Sequence, residues 1–299
     1  MDRSAGTWNL LQEQAEQLAA SLPPLLVEAE RLAASVSLGV HGRRKAGMGE
    51  SFWQFRRYAP EDPAAAVDWR QSAKSQHLFV REREWEAAQA VWFWRDASPG
   101  MRFKSQFSDA TKMDRATVLA LALASLLVRG GERIALFGRE RPPASGRTAL
   151  QHVARDLGER AANGNGVPAD VPIGRHAQLV WFSDFLSPLE AIEGAARRLS
   201  GAGVSGHLVH IVDPAEEDFP FEGRTCFEAP AGRETELFGR AESVRAGYRA
   251  RFRGHGEAIA MLGRRLGWTY LTHRTDKSPN LALIALYAAL GGEAAQRTA

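Results

Sequence analysis

From Ala90 onward, short apolar runs alternate with longer segments whose apolar residues recur at helical spacing. "AVWFWRD", "ERIALFG", "AQLVWFSDF", "SGHLVHIVDP" and "WTYLTHRT" are brief and apolar almost throughout, as strands buried on both faces are. Between them, "MDRATVLALALASLLVRGG", "TALQHVARDLGERAANG" and "SPLEAIEGAARRLSGAG" carry helical periodicity and end in glycine or Asn-Gly. Ser187 is placed to cap the third of these, with Pro188 at its first position. "RTCFEA" and "RETELFG" read as a hairpin around "PAG". A long helix from about Ala241 and a last one, "PNLALIALYAAL", complete the pattern. The alternation predicts an α/β fold: a mostly parallel sheet with flanking helices.

The first third has a different rhythm. "WNLLQEQAEQLAASLPPLLVEAERLAASV" reads as two helices broken at Pro23 and Pro24, with Leu25, Leu26, Ala29, Leu32 and Ala33 on one face. A Gly-rich basic segment follows, then "HLFVREREWE", a strand with one wet face. The division expected is residues 1–36 as N-terminal helices, 37–87 as a small basic β-rich module, and 88–299 as the sheet domain.

Bulk properties narrow the class. The single cysteine, Cys226, excludes an internal disulfide and a cysteine-rich zinc site, and is expected to be a reduced core thiol. No stretch reaches the ~20 apolar residues of a membrane span. The first residues lack the pattern of a signal peptide, so a soluble cytoplasmic protein is expected. A net charge of +3 is too small to argue for nucleic acid by itself.

In open parallel sheets, ligands bind beyond the carboxyl ends of the strands. Three expected strands end there in an aspartate: Asp96, Asp184 and Asp213. The loop after "ERIALFG" adds Ser145 and Thr148. Carboxylates and hydroxyls converging at strand ends suit a hard cation such as magnesium. The same aspartates could simply cap helices or bond loop amides.

The segment "GVHGRRKAGMGESFWQFRRYAPEDPAAAVDWRQSAK", then "VREREWE", then "VWFWRDASPGM", resembles domain-of-unknown-function family 58. That bacterial family is built on a von Willebrand factor A-like domain. The resemblance implies a Rossmann-like sheet and a metal-ion-dependent adhesion site of the form Asp-x-Ser-x-Ser, completed by a later Thr and Asp. Asp96 and Ser98 match the first loop and Asp184 the later aspartate, with Thr148 or Ser145 for the hydroxyl. Gly100 stands where the second serine belongs, so magnesium binding is expected to be weak. Arg95, one residue before Asp96, is a cation that could replace the ion, although adjacent strand residues point to opposite faces. Family members are often paired with MoxR-type AAA+ ATPases, which makes such an ATPase or its client the expected partner.

The basic module offers a second surface. Arg43, Arg44, Lys45, Trp53, Arg56 and Arg57 are of the types enriched at binding hot spots. Asp68 and Arg70, flanking Trp69, could dock a partner or form a structural pair. No P-loop, nucleophile elbow or His-Glu-x-x-His is present. His207 and His210 lie three apart in a strand and so face apart, while His255 and Glu257 read as a solvated face. The reading is a non-enzymatic interaction adaptor with a degenerate adhesion site. Nucleic-acid or phosphate binding through the basic module is the alternative, although its acidic residues weaken that case. A metal-dependent hydrolase using Asp96 and Asp184 is a remote third.

Overall fold

The computed structural model describes residues 29, 31–33, 35–36, 52–57, 67, 69–74, 77–83, 90–159, 166–230 and 234–297. The chain divides into two compact units, Gly42–Ala88 and a larger one of Met1–His41 with Gln89–Ala299.

In the smaller unit, β1 (Phe52–Arg57) pairs antiparallel with β2 (Phe79–Arg83), with a register irregularity between Phe52 and Gln54. Trp69–Ser72 forms a single helical turn. The Phe79 amide donates to Ser72 Oγ at 2.9 Å, which ties that turn to β2.

The larger unit is the α/β fold that the alternation predicts. Its sheet comprises β3 (Ala90–Arg95), β4 (Arg133–Leu136), β5 (Gln178–Ser183), β6 (Ser205–Val212) and β9 (Thr269–Arg274). All pairings are parallel, in the order β4-β3-β5-β6-β9. The order reverses between β3 and β5, whose carboxyl ends carry Asp96 and Asp184. A chain that reverses there leaves a crevice, the place where open sheets of this type bind ligands.

Helices cover both faces. On one, α1 (Lys112–Arg129), α2 (Gly146–Glu159) and α6 (Asn280–Arg297) pack against Val91, Phe93, Val180 and Phe182. Ala29, Leu32, Ala33 and Val36, helical or within the helical stretch near the N-terminus, are buried in this same core. On the other, α3 (Leu189–Gly201) and α5 (Arg245–Leu266) pack against Trp94, Trp181 and Leu208. Alternate strand residues point to opposite faces, so apolar side chains at every position serve two cores. One contact fixes a glycine: a Cβ on Gly206 would lie 2.1 Å from the Trp268 ring, whose Nε1 donates to the Val204 carbonyl at 3.1 Å.

Two shorter elements follow β6. α4 (Pro214–Asp218) starts at a capping box in which Asp213 Oδ1 accepts from the Ala215 amide and Glu216 bonds back to the Asp213 amide. The expected hairpin is β7 (Thr225–Glu228) with β8 (Thr235–Phe238). It turns Phe227 toward Phe219 and leaves Cys226 exposed, so the thiol is a surface group and not the core residue expected. The third helix begins one residue later than expected: Pro188 occupies the cap position, without a side-chain cap. Among the described residues, no helix is long and apolar enough to cross a membrane.

Candidate functional site

β3 brings Asp96 to the switch point because its amide donates to the Phe182 carbonyl at 2.8 Å, extending the β3–β5 pairing by one residue. Asp96 is 1% exposed. Its Oδ1 accepts from the Ser98 amide at 2.7 Å and its Oδ2 from the Ser183 hydroxyl at 2.7 Å. The same hydroxyl oxygen accepts from the Phe185 amide at 2.9 Å, so β5's last residue organises both strand ends. Asp184 is also buried; its Oδ1 accepts from the Leu186 amide at 3.1 Å.

A cation completes this cluster, and it belongs to the chain. Lys112, 0% exposed, sends its ammonium to Asp184 Oδ2 at 3.0 Å and to Glu216 Oε1 in a second ion pair. The Phe103 ring lies beneath the ammonium, 5.9 Å from its centroid. Lys112 is the first residue of α1, capped by Thr111, where the helix macrodipole disfavours positive charge. The two carboxylates offset that placement. Burial works against the Lys112 ammonium, but Asp184 and Glu216 outweigh it and hold its pKa above the ordinary 10.5. One ammonium serves two contacting carboxylates with a third close by. Burial, with the Asp184 charge beside it, therefore raises Asp96 above 3.8 against the pull of Ser98 and Ser183. Burial likewise raises Glu216, against the pull of Lys112.

Arg95 is the cation that could have replaced the ion, and its place next to Asp96 on the strand argues against direct contact. It points to the other face, where its guanidinium donates to Thr117 Oγ1 at 2.6 Å and to the Leu157 carbonyl at 3.1 Å. Asp213 has the bland role: besides capping α4, its Oδ2 accepts from the Ser105 amide at 2.9 Å. Asp96, Ser98 and Asp184 do come together. Thr148 does not join them; it is exposed in the first turn of α2, and Ser145 is exposed beside it. In the smaller unit, Trp53, Arg56 and Arg57 lie on β1, and Trp69 and Arg70 on the helical turn, with Arg70 exposed. Arg43, Arg44 and Asp68 lie outside the described residues.

The resemblance implies magnesium at Asp96, and the donor set can be tested for it. Magnesium needs six oxygens in near-octahedral geometry. Each Asp96 and Asp184 oxygen already accepts a bond from within the chain, and the cation in contact is an ammonium. A Cβ on Gly100 would lie 2.7 Å from Asp184 Oδ2, so the missing serine has no room while Lys112 holds that oxygen. Among the described residues, no group of three or more His, Cys, Asp or Glu converges to hold a metal ion. The residues as arranged do not fit the ion.

Residues that sequence reasoning passed over are Lys112, Ser183 and Glu216. A lysine at the start of a helix was itself a signal. Glu216 was legible as the third residue after the Asp213 cap. His255, expected on a solvated face, is half-buried and donates from Nε2 to the Phe185 carbonyl at 2.6 Å. Phe185 has a left-handed φ of 51°, and this bond helps to hold it there. His207 and His210 do face apart: Nδ1 of His207 bonds Thr269 and Nδ1 of His210 bonds Tyr270, at 2.8 and 2.7 Å.

The class of protein so defined is an open parallel α/β domain whose switch-point carboxylates are buried and neutralised from within. The chain belongs to the family described as protein of unknown function DUF58, whose sequence profile matches residues 54–258. It is 24% identical over 276 residues to the uncharacterised proteins Rv1480 of Mycobacterium tuberculosis and Mb1516 of Mycobacterium bovis, covering 87% of this chain and 86% of each relative. Among solved structures it is similar to an aerotolerance-related membrane protein of Bacteroides fragilis (15% identity, TM-score 0.39) and to the conserved hypothetical protein BatB of Bacteroides thetaiotaomicron (16%, 0.40). Each comparison covers 70% of this chain and 99% of the other.

Two outcomes follow from this geometry. Gly100→Ser should destabilise the protein by about 1–3 kcal/mol, because the new side chain displaces a carboxylate that cannot move freely. A thermal melt as high as the parent's would contradict this. Asp96→Asn should gain stability relative to the parent as pH rises. The folded pKa of Asp96 is raised, so its contribution is fully present below 3.8 and is lost as pH rises through the folded value. Denaturant melts between pH 4 and 7 check the sign; a relative loss for Asn on raising the pH would contradict it.

Proposed function

We propose that this chain is a non-enzymatic protein-interaction adaptor acting in the cytoplasm, with a MoxR-type AAA+ ATPase or its client as partner. The observation that carries the reading is the closed cluster at the switch point. An enzyme of this fold would present its strand-end carboxylates to a substrate. Here Asp96 and Asp184 are buried and held by Ser98, Ser183, Leu186 and Lys112. In this reading the adhesion site is degenerate, and Lys112 takes the place of the ion. The cluster then serves to fix the loops at the top of the sheet as a rigid platform. The ATPase itself is suggested by the family resemblance.

Affinity capture from native lysate tests the proposal, with the full chain as bait and magnesium-ATP present. A AAA+ ATPase, identified by mass spectrometry and retained through moderate salt, is the expected result. Capture of no ATPase would refute it. So would nucleic acid released by moderate salt, since phosphate contacts weaken steeply with added salt.

A further inference from the structure

We infer that the cleft between α5 and strands β6 and β9 is a docking site for an acidic segment of a partner protein. The inference rests on the adaptor reading and specifies where that partner is held.

The cleft arises from the way α5 is supported. Its buried residues, Ile259, Leu262 and Gly263, all lie in the C-terminal half. The N-terminal end is propped separately: the Arg245 guanidinium donates to the carbonyls of Phe219 and Phe221 at 2.9 and 3.0 Å, and Tyr248 packs on Phe219 at 4.6 Å between centroids. Between these supports the helix spans a cavity of about 520 Å³. That lies within the range of roughly 300–1,000 Å³ for ligand sites.

The helix wall carries Arg249, Arg253 and Glu257, at successive four-residue steps and so on one stripe. The sheet wall is polar but occupied with itself. Tyr270 shares its hydroxyl with His210 Nδ1 at 2.7 Å and accepts from Thr272 at 3.1 Å. Burial lowers the His210 pKa to about 4, so the ring is neutral at pH 7 and adds no charge. Arg274, at the strand end, is saturated by Glu217, Asp218 and Asp276 at 2.8, 2.9 and 3.1 Å. The cations left for a ligand are Arg249, which is 3.9 Å from Asp218, and Arg253, which makes no ion pair or hydrogen bond among the described residues. Two guanidiniums one turn apart match a carboxylate-bearing segment.

The cleft favours a peptide over nucleic acid. Glu217, Asp218 and Glu257 line it too, and they would repel a backbone charged at every residue. A peptide spaces its carboxylates and brings main-chain groups. β9 is an edge strand that pairs only with β6 among the described residues, the arrangement to which extended peptides add.

Fluorescence anisotropy of a short fluorescein-labelled peptide of alternating glutamate and serine, titrated with the full chain, tests the site. Saturable binding is expected. Arg249→Glu with Arg253→Glu should weaken it at least about tenfold. Glu257→Lys should tighten it, and Arg251→Glu, outside the cleft, should leave it unchanged. The substituted residues are exposed, and thermal melts of each variant verify folding. Absent saturation, indifference to the double reversal, or an equal loss with Arg251→Glu would overturn the inference. Displacement by equimolar inorganic phosphate would make this a small-anion site, and tighter arginine-dependent binding of oligothymidylate a nucleic-acid site; either also overturns it. Capture of the ATPase by the double variant would remove the cleft and leave the adaptor reading standing. Failure of the parent to capture it would remove the adaptor reading, and the peptide titration would still decide whether the cleft binds acidic segments.

Discussion

The buried Lys112 ammonium is the interaction on which the top of the sheet depends. It joins the start of α1 to the end of β5 through Asp184 and to the start of α4 through Glu216. Three chain segments distant in sequence meet at one charge. A buried ion pair is weak evidence for net stability, because desolvation offsets much of the attraction. Removing one partner is a different matter. It would leave Asp184 and Glu216 buried without their cation, at a cost of about 3–5 kcal/mol. The lysine therefore acts as a condition for this loop arrangement.

That constraint explains the neighbouring residues. With Asp184 Oδ2 turned toward Lys112, only a glycine fits at position 100. With the ammonium committed to Asp184 and Glu216, Asp96 has no cation in contact among the described residues, and burial drives its carboxyl toward the neutral form. Arg95, adjacent in sequence, cannot help, because the strand turns it to the opposite core and the Leu157 carbonyl. Two cations near one aspartate thus serve opposite faces of the sheet.

Much of the fold was legible because strands buried on both faces and amphipathic helices leave different periodicities. The five parallel strands, their helices and the late hairpin all followed from them. The position of the site followed from the strand-end aspartates, and Asp96, Ser98 and Asp184 do meet. The content of the site was harder to read. Lys112 lies sixteen residues after Asp96 and seventy-two before Asp184, and no local pattern shows which carboxylate a lysine will meet. The resemblance also directed attention to a hydroxyl at Thr148, which the helix start instead exposes. Cys226 was misplaced for a related reason: the hairpin's alternation gives its inner face to Thr225 and Phe227.

The most direct measurement is the thermal midpoint of the parent and of Lys112→Ala, each with chelator and with millimolar magnesium. A ligand that binds the folded state raises the midpoint. If Lys112 is the cation of this site, the parent's midpoint is the same in both conditions and the alanine variant melts several degrees lower in chelator. A parent stabilised by magnesium, or an alanine variant as stable as the parent, would contradict the account.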